Sequence, residues 1–152
     1  MARASAGLLV YRRQDAKLEV LLVHPGGPFW QKRDEGAWSI PKGELAENET
    51  GMDVARREFE EELGVPAPQG EVTALGTVRQ AGGKLVQAWA VSGDLDVTRT
   101  TSNTFEVEWP PRSGKMQQFP EVDRAAWFGL DAARRKLLPA QCAFLDRLEA
   151  LL

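Results

Sequence analysis

The segment RREFEEELG, from Arg56 to Gly64, places four glutamates within two turns of a predicted helix. At about 100° per residue, Glu58, Glu61 and Glu62 share one patch, whereas Glu60 points elsewhere and is expected to be solvated. Like charges at these spacings destabilise a helix by a few tenths of a kcal/mol per pair, and the negative end of the helix dipole adds to that cost. A bound divalent cation would offset the repulsion, because Mg²⁺ binds carboxylate oxygens and shares them with phosphates.

The same helix has an apolar face about 80° wide, which we expect to pack on the core. The residues in this arc are Met52, Ala55, Phe59 and Leu63. The three carboxylates lie beside the stripe rather than opposite it, so the patch is expected at the rim of the fold, where a cleft can form. The alternative is an ordinary polar face whose charges are screened by neighbouring arginines and by solvent.

Strands are expected before this helix. SAGLLVYRR and LEVLLVHP are rich in Leu and Val and predict two strands, the second buried on both faces. An exposed loop follows, and AWSIP predicts a short strand or extended segment. KGELAENE is expected to be a loop that leads into the helix, which runs from about Thr50 to Leu63 with Gly64 as its C-cap.

The chain after the helix predicts a hairpin, a long loop, a strand and two helices. EVTALGTVRQ and KLVQAWAVSG are expected to pair through the turn AGG. Residues 94–120 are polar and predict a loop that is functional or partly disordered. DRAAWFGL predicts a strand, and a pair of short helices is expected from Asp131 onward. Strands around a central helix, with helices last, indicate an α/β fold with helices on both faces of a sheet.

Composition narrows the class of protein. The 152 residues suit one domain, 1–152, and 43% apolar with 27% charged residues is typical of a soluble globular protein. The net charge of −3 argues against an extended nucleic-acid surface or an anionic-membrane partner. No apolar run approaches the roughly 20 residues of a membrane helix, and the first residues resemble a strand more than a secretory signal. We therefore expect a cytoplasmic protein, with its single cysteine, Cys142, buried in the last helix.

The spacing around the glutamates is more specific than the helix alone. From Gly43 the sequence has five residues, Glu49, seven residues, and then Arg57-Glu58-Phe59-Glu60-Glu61-Glu62-Leu63-Gly64-Val65. This pattern resembles the 23-residue Nudix box of the Nudix hydrolases at every fixed position, with Phe59 where the family usually has an aliphatic residue. SAG…LLVHPGG…WSIPKGE is similar in style to the branch that contains the diadenosine tetraphosphate hydrolases and related predicted nucleotide pyrophosphohydrolases. The resemblance is weakest over residues 94–120.

The resemblance implies a Nudix-type α/β/α sandwich with a mixed central sheet and a hydrolase that cleaves a phosphoanhydride with Mg²⁺, or with Mn²⁺ as the alternative ion. The metal ligands that it implies are Glu58, Glu61, Glu62 and the backbone carbonyl of Gly43. Arg57 is expected to pair with Glu49 or Glu61 and to fix a ligand's rotamer. A homodimer is left open, because dimers are frequent among relatives.

The general base and the substrate contacts are less well defined. In the family, the base is a glutamate of the box in some members and a glutamate outside it in others. The outside candidate is Glu121, which matches the glutamate before the late strand in the diadenosine hydrolases, and Glu106 and Glu108 are its competitors. Lys42 is an expected phosphate contact, and Lys84 and Arg79 flank the AGG turn, where they meet distal phosphates or water. Base-stacking candidates are Trp30, Trp38, Trp89, Phe105 and Trp109, about half of which are expected in the core. Trp127 is expected in the core, and His24, at the end of a buried strand, is not expected to carry the chemistry.

Three functions remain open from the sequence. The first is a Mg²⁺-dependent nucleotide pyrophosphatase that acts on a dinucleoside polyphosphate or a nucleoside triphosphate. The second is the same enzyme type with ADP-ribose, a nucleotide sugar or capped RNA as its substrate. The third is a non-catalytic nucleotide-sensing domain, which the retained box glutamates disfavour.

Overall fold

The computed structural model describes residues 4–152, so residues 1–3 of the expected domain lie outside it. The elements, in chain order, are the strands β1 (Ala4–Gln14), β2 (Lys17–Pro25) and β3 (Lys42–Glu44), helix α1 (Gly51–Leu63), strands β4 (Val72–Arg79), β5 (Leu85–Ser92), β6 (Thr104–Glu108), β7 (Met116–Pro120) and β8 (Val122–Gly129), and helices α2 (Leu130–Lys136) and α3 (Cys142–Leu151).

Within residues 4–152, six strands form one mixed sheet in the order β4-β5-β1-β2-β8, with β3 also paired to β1. Strands β1 and β5 run parallel, and the remaining pairs in this sheet are antiparallel. The chain reverses between β1 and β2 at Asp15 and Ala16, which both have positive φ. The second strand is buried on both faces from Val20 to Val23, as expected from its continuous apolar run.

Each face of this sheet carries its own core. Helix α1 packs on one face, where Phe59 and Leu63 meet Leu8, Val10 and other strand residues. Helix α3 packs on the opposite face through Phe144 and Leu148. A fully buried Leu or Phe side chain contributes about 1.5–3 kcal/mol, so both layers matter for stability. The expected α/β/α sandwich with a mixed central sheet is confirmed.

Helix α1 begins and ends where the sequence predicts. The Thr50 hydroxyl accepts a hydrogen bond from the Asp53 amide at 3.3 Å, and Gly64 has φ 68° and donates its N–H to the Glu60 carbonyl. The predicted core face is confirmed for Ala55, Phe59 and Leu63. Met52 is only partly buried, and Val54, outside the predicted arc, is fully buried, because α1 contacts β1, β3, β5 and β8 and so buries more than one stripe.

Two predicted loops contain strands. Residues 42–49 were expected to be loop, but Lys42–Glu44 pair with β1, where Gly43 lies opposite Ala6. Three residues are too few to show a periodic pattern, so only the pairing reveals this strand. The preceding AWSIP segment is extended, as expected, with isolated bridges from Trp38 to Leu137 and from Ser39 to Val23.

The prediction of a loop over residues 94–120 was wrong. Strands β6 and β7 form a separate two-stranded sheet in which Phe105 lies opposite Phe119. Alternate residues of β6, Phe105 and Val107, are partly buried, while their neighbours are exposed. The many polar residues of this segment obscure the alternation of buried and exposed positions, which is why the sequence predicts a loop instead of a hairpin.

Across residues 4–152, the helices are too short or too polar for any of them to cross a membrane.

Candidate functional site

The glutamates of α1 face strand β3, whose backbone approaches them closely. A Cβ atom added at Gly43 would lie 2.1 Å from the Cδ atom of Glu58, so any larger residue would require the Glu58 carboxylate to move from this position. The backbone N–H of Lys42 donates to Glu62 Oε2 at 3.0 Å. Strand β3 therefore brings two carboxylates of the helix together along its backbone.

Arg57 connects the same helix to the loop before it. Its guanidinium donates to Glu49, and lies 3.6 Å from Glu58 Oε1 and 3.9 Å from Glu61 Oε1. Glu49 also accepts from the Ala46 N–H at 2.8 Å, and the hydrogen bond from Arg57 lowers the pKa of Glu49. Arg57 thus has both of the partners considered in the sequence, and it holds the side chains of this patch in place.

Glu60 lies away from this patch. Its side chain is exposed, as expected, and Glu60 Oε2 accepts a hydrogen bond from the Ala67 N–H at 3.1 Å. Its role is therefore to hold the turn after the helix rather than only to contact solvent.

The charges of the patch are poorly compensated. Burial raises the pKa of Glu62 to about 8, and the neighbouring charges of Glu58 and Glu121 act in the same direction, against the hydrogen bond and charge of Lys42. Burial, together with Glu61, also raises the pKa of Glu58. Each of these carboxylates would be stabilised in its charged form by an added cation.

Lys42 and Lys84 lie beside these carboxylates. Burial lowers the pKa of Lys42, and the charge of Lys84 adds to that effect. Lys84 Nζ lies 3.4 Å from Glu44 Oε1 at the end of β3. Arg79, by contrast, donates to the Gly83 carbonyl in the turn of its own hairpin. Its contacts therefore do not support the expected role in binding phosphates. The two lysines are therefore the cations positioned to meet an anionic substrate.

A series of backbone hydrogen bonds places Glu121 next to α1. The N–H of Asn103 donates to the Glu61 carbonyl at 3.1 Å, and the N–H of Glu121 donates to the Asn103 carbonyl at 2.8 Å. On the other side, the N–H of Gly26 donates to the Glu121 carbonyl at 2.9 Å. No sequence pattern singles out residue 103, because its backbone rather than its side chain makes these contacts.

Glu121 shares a small cavity with the patch. Lys42, Glu62 and Glu121 line a cavity of about 120 Å³, and Ser39 and Ile40 form part of its wall. The competitors Glu106 and Glu108 lie on the exposed face of β6, and Glu108 accepts a hydrogen bond from the Arg112 N–H. Glu121 is therefore the better placed of the three candidates for a general base.

The aromatic candidates divide between the cores and the surface. Trp38 is buried and donates its indole N–H to Asp34, and Trp89 and Trp127 pack against the core on the α1 side. Trp30, Phe105 and Trp109 are only partly buried. Sequence reasoning missed Phe29, which is 63% exposed and contacts Trp109 with a centroid distance of 5.5 Å. The only signal for it was its place beside Trp30 in a loop.

The residues fit a hard divalent cation by their donor type. Among residues 4–152, no three His, Cys, Asp or Glu side chains already converge as metal ligands. Glu62 instead accepts from Lys42, and Glu58 and Glu61 face Arg57. Carboxylate oxygens beside a backbone carbonyl are nevertheless the donor set that Mg²⁺ prefers, and the missing Cβ of Gly43 lets the Glu58 carboxylate lie directly against the backbone.

Comparisons with known proteins agree on one fold. The family model of the NUDIX domain matches residues 1–148, and no curated protein matches the chain. A C. elegans Ap4A hydrolase binary complex is 23% identical with a TM-score of 0.66, over 97% of this chain and 96% of that one. The NUDIX domain of Shewanella oneidensis NrtR, in complex with ADP ribose, is 18% identical with a TM-score of 0.65, over 100% and 90%. RenU, a Nudix hydrolase from M. smegmatis, is 24% identical with a TM-score of 0.60, over 97% and 84%.

Proposed function

The chain belongs to the Nudix family and is a Nudix hydrolase; from this premise we propose that it cleaves a phosphoanhydride in a nucleoside diphosphate linked to another group, with Mg²⁺. A dinucleoside polyphosphate or a nucleoside triphosphate is the proposed substrate. The likeness to the C. elegans Ap4A hydrolase, which extends over almost the full length of both chains, supports this choice.

The arrangement of Lys42, Glu58 and Glu62 carries the proposal. Burial disfavours the charged form of all three side chains, raising the pKa of the glutamates and lowering that of the lysine. A metal-bound phosphate supplies both missing partners, because its cation meets the carboxylates and its oxygens meet the ammonium group. An ion pair with a purely structural role would account for the burial of Lys42 and Glu62. It would not account for the further carboxylates of Glu58 and Glu121 beside them.

In this proposal, Glu58, Glu61, Glu62 and the Gly43 carbonyl hold the metal ion. A bound divalent cation neutralises phosphate oxygens and lowers the pKa of its water. Arg57 holds the ligand side chains in position through Glu49.

The remaining residues act on the water and the phosphates. Glu121 accepts the proton of the attacking water, for which it must lie within hydrogen-bond reach of that water. Lys42 and Lys84 bind phosphate oxygens, whereas Arg79 is proposed to meet only the distal end of a long substrate. These assignments name the groups of this chain and leave open which phosphorus is attacked.

Hydrolysis of a nucleotide panel tests this function. The purified protein is incubated with Mg²⁺ or Mn²⁺ and a set of nucleotides, and the products are separated by chromatography. Diadenosine tetraphosphate converted to ATP and AMP is the expected result. Glu61→Gln and Glu62→Gln are expected to lower kcat by about 100-fold or more with near-normal thermal unfolding, whereas the control Glu60→Gln keeps wild-type kcat. Full metal-dependent turnover in either of the first two variants contradicts the site.

ADP-ribose is the second candidate, because the NrtR domain bound to ADP ribose has a TM-score close to that of the Ap4A hydrolase. In the same panel, the release of AMP and ribose phosphate from ADP-ribose would favour this substrate. Nucleotide sugars and capped RNA are included because they are the other substrates of this second hypothesis. Tight nucleotide binding without turnover would favour a sensing domain.

We further propose that residues 1–152 form a single domain that acts in the cytoplasm. A homodimer remains an option, which sedimentation of the purified protein distinguishes from a monomer.

A further inference from the structure

His24 lies one residue before the end of strand β2 and is completely buried, and both of its ring nitrogens have a partner. Its Nδ1 atom lies 2.7 Å from Asp123 Oδ1, and its Nε2 atom lies 2.6 Å from the Arg33 carbonyl oxygen. Trp38 packs edge-on against the ring with a centroid distance of 5.3 Å. The ring is thus fixed between strand β8 and the loop of residues 26–36.

The two partners determine how many protons the ring holds. A carbonyl oxygen can only accept, so Nε2 must donate its hydrogen to Arg33. A carboxylate also only accepts, so Nδ1 donates to Asp123 as long as Asp123 is ionised. Arg124 Nε lies 3.8 Å from the same oxygen, Asp123 Oδ1. Both ring nitrogens of His24 thus face acceptors, an arrangement that a doubly protonated imidazole satisfies, with the partly exposed carboxylate of Asp123 as its ionic partner.

The surrounding charges are compatible with this pair. The guanidinium of Arg124 lies 5.1 Å from the centroid of the Trp38 ring, on the side of the cluster that borders solvent. Trp38 donates to Asp34, and Asp34 is paired with Lys136. The charged groups around His24 thus comprise two carboxylates and two cations besides the imidazolium, so the cluster carries a net charge of +1, and Asp123 is the partner of both His24 and Arg124.

The two partners of His24 belong to the segments that hold Glu121. Asp123 follows Glu121 by two residues, and Arg33 belongs to the loop whose first residue, Gly26, donates to the Glu121 carbonyl. We propose that doubly protonated His24 is a positioning residue, which clamps these two segments together and so fixes Glu121 beside the glutamates of α1. This role rests on the proposed function of Glu121 as a general base.

The protonation of His24 can be measured independently of activity. His24 is the only histidine in the sequence, so protein with ¹⁵N-labelled histidine and no affinity tag gives an NMR spectrum of this ring alone. We expect protons on both Nδ1 and Nε2 at neutral pH, and one ring proton only would overturn the proposal. In Asp123→Asn, which keeps the side-chain volume, we expect the Nδ1 proton to be lost and hydrogen exchange at the Gly26 amide to become faster.

Kinetics then test the positioning role. His24→Gln and Asp123→Asn are expected to lower kcat by about 10- to 100-fold with little change in KM. Leu22→Ala, a buried change on the same strand, is the control for lost stability, and it is expected to keep wild-type kcat. Wild-type kcat in Asp123→Asn overturns the positioning role, as does an equal loss in Leu22→Ala. If the wild type cleaves no nucleotide, the proposed function fails, and unchanged Gly26 exchange in Asp123→Asn would still refute the clamp.

Discussion

The burial of Glu62 beside the backbone of Lys42 determines how this side chain responds to pH. The carboxylate accepts a hydrogen bond from the Lys42 N–H, yet burial still raises its pKa to about 8. The hydrogen bond therefore offsets only part of the cost of burying this charge. Such residual cost is typical of functional sites, where a ligand rather than the protein supplies the final partner.

Glu62 makes the metal-free protein less stable as pH rises. Its carboxyl releases a proton near pH 4.5 in the unfolded chain but near pH 8 in the folded protein, so the folded state binds more protons between these values. Stability is therefore greatest below about pH 4.5 for this group and is lost as pH rises toward about 8. Glu62→Gln is expected to flatten this slope in urea unfolding, measured with a chelator present. Parallel pH profiles for the two proteins would contradict the burial of this charge.

At the residue scale, the sequence predicts which side chains share one face of a helix. It does not predict the contacts that a side chain makes with residues far away in the chain. Glu58, Glu61 and Glu62 follow from helix periodicity. The two acceptors of His24 come from residues 9 and 99 positions away, so no local pattern indicates them. Cys142, predicted to be buried, is only partly buried, and burial raises the pKa of its thiol, against the opposing charge of Arg134.

The C-terminus of α1 joins the patch of Glu58, Glu61 and Glu62 to Glu121. The carbonyl of Leu63 accepts a hydrogen bond from the Thr101 N–H at 2.9 Å, and two residues further along the segment the Asn103 N–H donates to the Glu61 carbonyl. Carbonyl groups at a helix end otherwise lack partners. Here they anchor the segment that continues to Glu121.

Gly64 allows this contact, and its replacement is expected to disturb it. Gly64 has φ 68°, and an added Cβ would lie 2.3 Å from Thr101 Oγ1 and 2.5 Å from the Thr101 carbonyl oxygen. Gly64→Ala is therefore expected to destabilise the protein by about 2 kcal/mol in urea unfolding and to lower kcat. Gly36 has φ 77° with nothing within 4 Å of an added Cβ, so Gly36→Ala is the matched control, with a cost of about 1 kcal/mol and unchanged kcat. Equal losses of stability in the two variants would show that Thr101 can move away from the added methyl group without cost.

Elements with a strong period or a clear cap were predicted correctly. Thr50 and Gly64 mark the ends of α1, and continuous apolar residues mark β2. Strand β3 and the β6–β7 hairpin were missed, because β3 depends on pairing with β1 and the hairpin has many exposed polar side chains. Their existence is decided by partners far away in the sequence.

At the scale of the whole molecule, two cores share one sheet, and the core on the α1 side holds the helix that carries the three glutamates. Phe59 and Phe144 are both completely buried, on opposite faces. Phe59 lies on the helix that carries Glu58, Glu61 and Glu62, whereas Phe144 lies on α3, which contacts β4. Stability and metal binding should therefore be separable by mutation.

Matched substitutions test this separation. Phe59→Leu and Phe144→Leu are each expected to destabilise the protein by about 1 kcal/mol, because leucine nearly fills the space of the ring. Only Phe59→Leu is expected to weaken Mn²⁺ or Mg²⁺ binding in calorimetry, since it lets α1 shift against β3. Similar metal affinities in the two variants would show that the position of α1 does not depend on this side chain.

The layered fold was predictable because its main signals are short-range. Alternation of strands and helices indicates helices on both faces of a sheet, and that much of the α/β/α sandwich is confirmed. The order of strands was not predictable, since the parallel pairing of β1 with β5 joins residues about 80 positions apart, such as Ala4 and Leu85. Register between such distant segments depends on side-chain packing across the whole sheet.

The β6–β7 hairpin begins and ends at one point, because Thr104 lies opposite Pro120 and the Glu121 N–H binds the Asn103 carbonyl just below them. The two ends of the hairpin are therefore held together by contacts at its base, independently of the residues at its tip. Loops of other lengths and compositions can be grafted between residues 104 and 120 while both attachment points stay where they are. Varying residues 104–120 would show whether this hairpin affects substrate preference, while the proposed catalytic residues keep their own anchors.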